Sequence, residues 1–425
     1  MNRLSICLLF VVCAFCELLI VSCRKDIIFE EDQNPVKVLG VQTGLPVIKI
    51  DTPDRIDISS KYEWLDSVSI VVYNVDGSVN YESSTLSIKG RGNTSWEFPK
   101  KPYALKLSSK AGILGMKKHK RWCLLANWMD RTLMRNDIAF HIARQTDLAW
   151  TPSGEFVELI LNGKHLGNYY LCEQIKVDKN RLNITEMKSS DIAGDALTGG
   201  YLMELDINYD EVNKFYSGTK QLPYMFKSPD DDVLQEQQFD YLQNYINTLE
   251  SYLYSDSWLD NREYADYLDI GSFIDWWFVN ELSMNGEAGW PKSSYVYKDR
   301  LGKLHAGPVW DFDWGTFMPE YANQYAIVDA IYYERLFQDP AFRNEVKKRW
   351  SVYKSKFEKI PSYVRAKAVL IKDSNEINLT MWPLSVIEEG ANNGDADLSF
   401  NEAIERIIYA YETKMQWMDE QIINM

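Results

Sequence analysis

Hydrophobic residues in this chain change their period along its length. Up to about residue 205 they fall in short runs that alternate or stand together, and after it they recur at helical spacing. Residues 67–73 and 84–89 read as strands joined through Asp76-Gly77, and 155–161 and 166–172 as strands flanking Asn162-Gly163, a strong hairpin signal. Residues 45–50, 103–107 and 201–205 add further strands. Helical spacing appears at 130–144 behind Asp130, at 233–254, at 270–282 with Trp276, Trp277 and Phe278, from Asp339-Pro340 to about 357, and at 401–424. Strands first and helices later predict an α+β fold, and residues 45–425 hold no repeat or low-complexity linker, so one domain with two lobes is expected.

Residues 1–23 read as an export signal. Arg3 precedes an apolar run from Leu4 to Phe15, and the stretch is broken by Arg24-Lys25-Asp26 too soon to span a bilayer comfortably. Ile20-Val21-Ser22-Cys23 resembles a bacterial lipobox, which makes Cys23 the expected lipidation site. The mature chain is then anchored at the cell envelope, on the outer membrane or cell surface; an uncleaved anchor and a cleaved soluble form are the alternatives. Residues 24–44 suit a flexible tether. Of six cysteines only Cys123 and Cys172 lie in the body, expected as two separate buried thiols in preference to a bridge.

Lys and Arg number 46 against 61 Asp and Glu, a net charge of −15, which argues against a nucleic-acid partner. The excess is uneven. Between residues 85 and 135 twelve basic residues meet only Glu97 and Asp130. A basic island in an acidic chain points to a phosphate or polyanion site. The run 117–121 is expected to be a solvated face, whereas Lys89, Arg91 and Lys106 sit on or beside apolar strands, where a charge needs a partner or a ligand.

Three motifs carry chemistry. Residues 88–96, Ile-Lys-Gly-Arg-Gly-Asn-Thr-Ser-Trp, run a strand into a Gly-x-Gly turn that lets backbone N–H groups and Arg91 approach a phosphate. Residues 307–315 hold Asp311 and Asp313 among aromatic residues; a divalent ion such as Mg²⁺ would offset the cost of burying them, and pairing with arginine or turn capping is the alternative. Residues 280–287 end an apolar helix with Asn285 and Glu287, a metal ligand and a base, or a polar helix end stopped by Gly286. The four histidines are scattered without zinc spacing, and no Gly-x-Ser-x-Gly elbow or Walker-type loop is present.

These motifs, together with residues 99–106, 122–136, 167–175 and 200–206 in the same order, resemble the spore coat protein H (CotH) kinase family over roughly residues 45–425. The resemblance implies an atypical protein-kinase-like two-lobed fold with a β-rich N-terminal part and a helical C-terminal part. It implies an enzyme that uses ATP with Mg²⁺ or Mn²⁺ to phosphorylate protein Ser or Thr hydroxyls. Carried over, Lys89, Arg91, Asn93, Lys106 and Arg135 bind the nucleotide, with Glu173 and Ile175 in the hinge. Asp311 and Asp313 hold the metal, and Asn285, Glu287 and Asp311 are catalytic. Glu287 stands where many relatives carry Asp, one methylene shorter. The rival class is a non-catalytic surface or coat-type module that recognises protein or glycan on the same scaffold.

Overall fold

The computed structural model describes residues 40–383 and 393–425; the export signal, Cys23 and most of the expected tether lie outside the described residues. Seven strands close a barrel: β1 (Val47–Asp51), β2 (Leu65–Tyr73), β3 (Val79–Gly90), β4 (Tyr103–Ala111), β5 (His119–Leu125), β6 (Gly154–Leu161) and β7 (Lys164–Glu173). Their order is β1-β2-β3-β4-β5-β7-β6, and β6 returns parallel to β1, with Val47 opposite Glu158, to complete the ring. Alternation does the work of filling it. Val68, Ile70, Val72, Ile88, Leu105, Trp122, Leu124 and Leu171 point inward and form one core. Asn162 and Gly163 both have positive φ, 52° and 80°, the conformation that a tight two-residue hairpin requires.

A second sheet follows in the order β12-β11-β8-β10-β9, from β8 (Tyr201–Leu205), β9 (Lys214–Tyr216), β10 (Pro223–Ser228), β11 (Ser294–Lys298) and β12 (Leu304–Ala306). One face, with Tyr201, Met203, Leu205, Tyr224, Phe226 and Val296, packs into the helical core. The other carries Leu202, Glu204, Tyr295 and Tyr297. Besides single turns of helix, the longer helices among the described residues are α1 (Arg135–Ala143), α2 (Glu236–Leu253), α3 (Ile270–Leu282), α4 (Pro340–Phe357), α5 (Ile360–Met381) and α6 (Phe400–Asn424). Asp269 and Asp339 cap α3 and α4 through their carboxylates, and Ser399 with Glu402 forms a capping box on α6. From Ser272 to Leu282, α3 is buried on every side, as its all-round apolar sequence requires.

The β-rich first part and helical second part stand as expected, with three differences. The β part is a closed seven-stranded barrel, and the helical part contains a sheet of its own. The helix expected over 130–144 begins only at Arg135, because the Asp130 carboxylate accepts N–H groups from Thr132 at 2.9 Å and Arg135 at 2.8 Å and holds a turn there. Cys123 and Cys172 are free buried thiols, but they are neighbours, directly opposite each other across β5 and β7. Among the described residues no helix is long and apolar enough to cross a membrane.

Candidate active site

With Ile88, Leu105 and Trp122 turned inward, their strand neighbours Lys89, Lys106 and Arg121 turn outward onto one barrel face. Trp64 gathers the three cations: their charged ends lie 5.0, 5.9 and 4.8 Å from its ring centre. Burial and the adjacent Arg121 lower the Lys89 pKa. Lys106 is exposed and among the described residues has no carboxylate partner, so its ammonium is free to meet a ligand. Beyond β3 the turn is held open by its glycines. A side chain at Gly90 would collide with the Trp96 ring at 2.3 Å, and Gly92 has φ of +83°. Arg91 leaves this turn to lie 5.2 Å over the Trp310 ring, where Asp311 favours its charge.

The facing wall is acidic. Glu204 on β8 pairs with Lys227 at 3.1 Å, and Lys227 also reaches Glu211. Asp206, just past β8, accepts N–H groups from Asn208 at 2.7 Å and Ser293 at 3.1 Å, while the Ser293 hydroxyl donates to Asp311 at 3.1 Å. Asp311 has φ of 69°, in the left-handed region that aspartate tolerates better than most residues. The turn that carries it is pinned from behind. Phe312 N–H donates to Asn136 at 2.9 Å, Arg135 to the Thr316 carbonyl at 3.1 Å, and Asn393 to the Asp313 carbonyl at 2.9 Å. Glu287 accepts from Lys292 at 2.9 Å.

These carboxylates share one field. Burial and then Asp311 raise the pKa of Glu287 and push that of Asp313 well up, and burial leads the rise at Asp206, with Asp210 and Asp311 adding to it. Asp313 has no ion-pair partner among the described residues, and a cation bound beside it would offset the cost of ionising it. No group of three or more His, Cys, Asp or Glu side chains converges on an ion among those residues. A cage of that kind is not what Mg²⁺ uses: it takes one or two carboxylates and completes its shell with water and phosphate oxygens.

The structure thus sets Glu287, Asp311 and Asp313 within one another's fields, with Arg91 beside Asp311 and with Lys89 on the barrel wall facing Glu211 and Lys227. Asn93 bridges toward the acidic wall, accepting from Lys61 at 2.9 Å and donating to Asp210 at 3.4 Å. Ile175 packs with Leu202, Tyr295, Tyr297 and Trp310, an apolar floor beside Arg91. Other expected residues are engaged elsewhere. Arg135 is wholly enclosed, its donors taken by Asp130, by Asp395 at 2.7 Å and by the Thr316 carbonyl, so it holds the Asp311 turn from behind and has nothing left for a phosphate. Asn285 spends its carboxamide on the Glu287 N–H at 3.2 Å and on Asn280 at 3.0 Å. The Glu173 side chain pairs with Arg181 at 2.7 Å and accepts the Ser153 N–H at 3.0 Å, and its own N–H donates to the Ser153 carbonyl at 2.9 Å.

Sequence reasoning left Trp64, Asp206, Lys227, Lys292 and Ser293 without a role, and it placed Arg121 on a solvated face. Arg121 was accessible to the same in-out alternation that found Lys106. The basic island divides: Lys100 is buried and donates to the Ala126 carbonyl and Asn378, both at 2.8 Å, so it is structural.

Comparison with protein families settles the lineage: the model of the CotH kinase protein family matches residues 88–418, from β3 into α6. The chain belongs to this family. The CotH match takes in both walls, from Lys89 through Asp313. A comparison with curated proteins finds no match. Membership in the CotH kinase family suggests a kinase-like function, and such a function implies ATP and a divalent metal.

Proposed function

We propose that the chain is a kinase that transfers the γ-phosphoryl group of ATP to a protein Ser or Thr hydroxyl in the cleft between the barrel and the second sheet. The observation that carries this reading is the approach of barrel cations to a wall of carboxylates, Arg91 to Asp311 and Lys89 to Glu211. Phosphoryl transfer asks mainly for positioning and charge neutralisation, and this inventory supplies both. Lys89, Lys106 and Arg121 bind the phosphates, with the residue 90–95 turn over them. Ile175, Tyr295 and Tyr297 take the base, and the backbone of Gln174 and Ile175 lines its edge. Asp311 and Asp313, hard oxygen donors without an ion-pair partner, fit Mg²⁺ or Mn²⁺ and would hold it. When bound, the metal neutralises charge on the phosphate oxygens. Glu287, fixed by Lys292, orients the acceptor hydroxyl and takes its proton at the carboxylate. The ion pair fixes the longer arm of glutamate at a point where an error of about 1 Å is costly. Lipidation at Cys23 would anchor this enzyme in the cell envelope, outside the cytoplasm.

Residues 24–425 incubated with labelled ATP and Mg²⁺ or Mn²⁺ should incorporate label. Asp311→Asn or Asp313→Asn should lower incorporation by about 100-fold or more, the scale of removing preorganised charge stabilisation. Nucleotide-independent behaviour of all three proteins would leave the non-catalytic binding module as the better reading.

A further inference from the structure

A cavity of about 340 Å³ opens at one mouth of the barrel, and none of its lining residues belongs to the cleft. Barrel mouths are common ligand sites, and this volume suits a small ring-sized group. Its aromatic surface is fixed in advance. The Trp382 indole donates to the Leu166 carbonyl at 2.9 Å and stands edge-on to Trp128 at 5.9 Å. Tyr103 stacks on Tyr169 at 6.3 Å, and the Tyr169 hydroxyl donates to the Lys101 carbonyl at 3.0 Å.

The rim is polar and mostly cationic. Arg55 is carried on two consecutive left-handed residues, Asp54 (φ 50°) and Arg55 (φ 56°), an arrangement that costs backbone energy in residues other than glycine. Thr52 holds that turn: its hydroxyl donates to the Ile56 carbonyl at 2.7 Å, and its N–H donates to Asn162 at 2.8 Å. The second bond ties the turn to the β6–β7 hairpin, which presents Lys164. Neither Arg55 nor Lys164 has an anionic partner among the described residues. Asp57 lies close enough to Tyr103 that, after burial, it helps push the phenol up to about 12.

Tyr103 and Tyr169 are buried and brace the cavity wall, whereas the half-buried Trp382 ring suits the C–H face of a sugar; the two cations suit an acidic group, and the Asp57 carboxylate suits ring hydroxyls. A plain inorganic anion would leave the Trp382 ring unused. We propose that the barrel mouth binds the anionic sugar unit of a glycan, its charge carried by a carboxylate or a sulfate ester.

The test is calorimetric titration of the mature full-length chain at fixed salt with four probes: a uronate oligosaccharide, a sulfated oligosaccharide, a neutral glucose oligosaccharide and an acidic peptide. One-site binding of the uronate or the sulfated probe is expected, at least tenfold tighter than the neutral one, and which of the two binds identifies the source of the charge. Trp382→Ala and, independently, the exposed charge reversal Lys164→Glu should each weaken it at least tenfold, with the melting temperature of Lys164→Glu unchanged. Lys106→Glu, in the cleft, should leave it intact. Absence of binding at millimolar probe, equal binding of the neutral sugar or the acidic peptide, or loss on Lys106→Glu would overturn the proposal.

Discussion

His119 is almost wholly enclosed, and its Nδ1 accepts the Arg121 backbone N–H at 2.9 Å, a bond only the unprotonated nitrogen can make. Burial first, then Arg181, lower its pKa to about 4 from the ordinary 6.5. The unfolded chain therefore takes up the proton at higher pH than the native one, and between about 6.5 and 4 the native state loses stability as pH falls. A shift of this size corresponds to at most roughly 3 kcal/mol, before screening of the imidazolium by neighbouring charge and solvent is counted. His119→Asn, which keeps an acceptor without the titration, should flatten the pH dependence of thermal unfolding across that window; a curve parallel to the wild type contradicts the assignment. The thiols give a second check. Cys123 and Cys172 are free and 0% exposed, so a thiol reagent should find none in the native mature chain and two after denaturation without reductant. Finding none after denaturation would mean they are bridged. Lys89 and Lys106 were legible in the sequence because strand alternation tells which side chains leave a barrel wall. The pairing of Cys123 with Cys172 was not, because register between β5 and β7 is set by the whole barrel.

The α1 helix shows why a buried arginine misleads. In sequence Arg135 belongs to the basic island, but its partner Asp395 lies 260 positions away and no local pattern announces it. Arg135→Ala leaves Asp130 and Asp395 buried without a counter-charge, so denaturant unfolding should show a loss of about 3–5 kcal/mol. A variant of wild-type stability that has lost only nucleotide affinity would restore Arg135 to the phosphate site. Other elements divide on the same logic. The Asn162-Gly163 hairpin and the Asp339 cap carry local signals and were legible; the Asp269 cap on α3 was not read. The α5 helix was missed because much of its buried face is polar: Ser374 donates to Glu158, Asn375 to the Arg131 carbonyl at 2.9 Å, and Asn378 accepts from Lys100 at 2.8 Å. Strands β9 and β12 have three residues each, too few to show a period, and β11 is buried along its whole length, which erases alternation.

Across the whole molecule, the charge map marked the basic island, while of the carboxylates opposite it Glu287, Asp311 and Asp313 came from motifs and Glu204 and Asp206 were not read. Twelve basic residues cluster within a stretch of about fifty, so the island stands out against a net charge of −15. The acidic wall is assembled from Glu204 and Asp206, Glu287, and Asp311 with Asp313, segments separated by dozens of residues and joined only by the second sheet and the turns beside it. That the two walls form one nucleotide–metal site is the claim on which the rest depends. Thermal unfolding of the mature chain with increasing Mg²⁺·ATP reads it directly. The wild type should gain about 2.7 kcal/mol at a hundred times Kd, and Lys106→Glu on one wall or Asp311→Asn on the other should each abolish the gain. An unchanged wild-type melt at millimolar ATP, or a gain that survives either substitution, would contradict it.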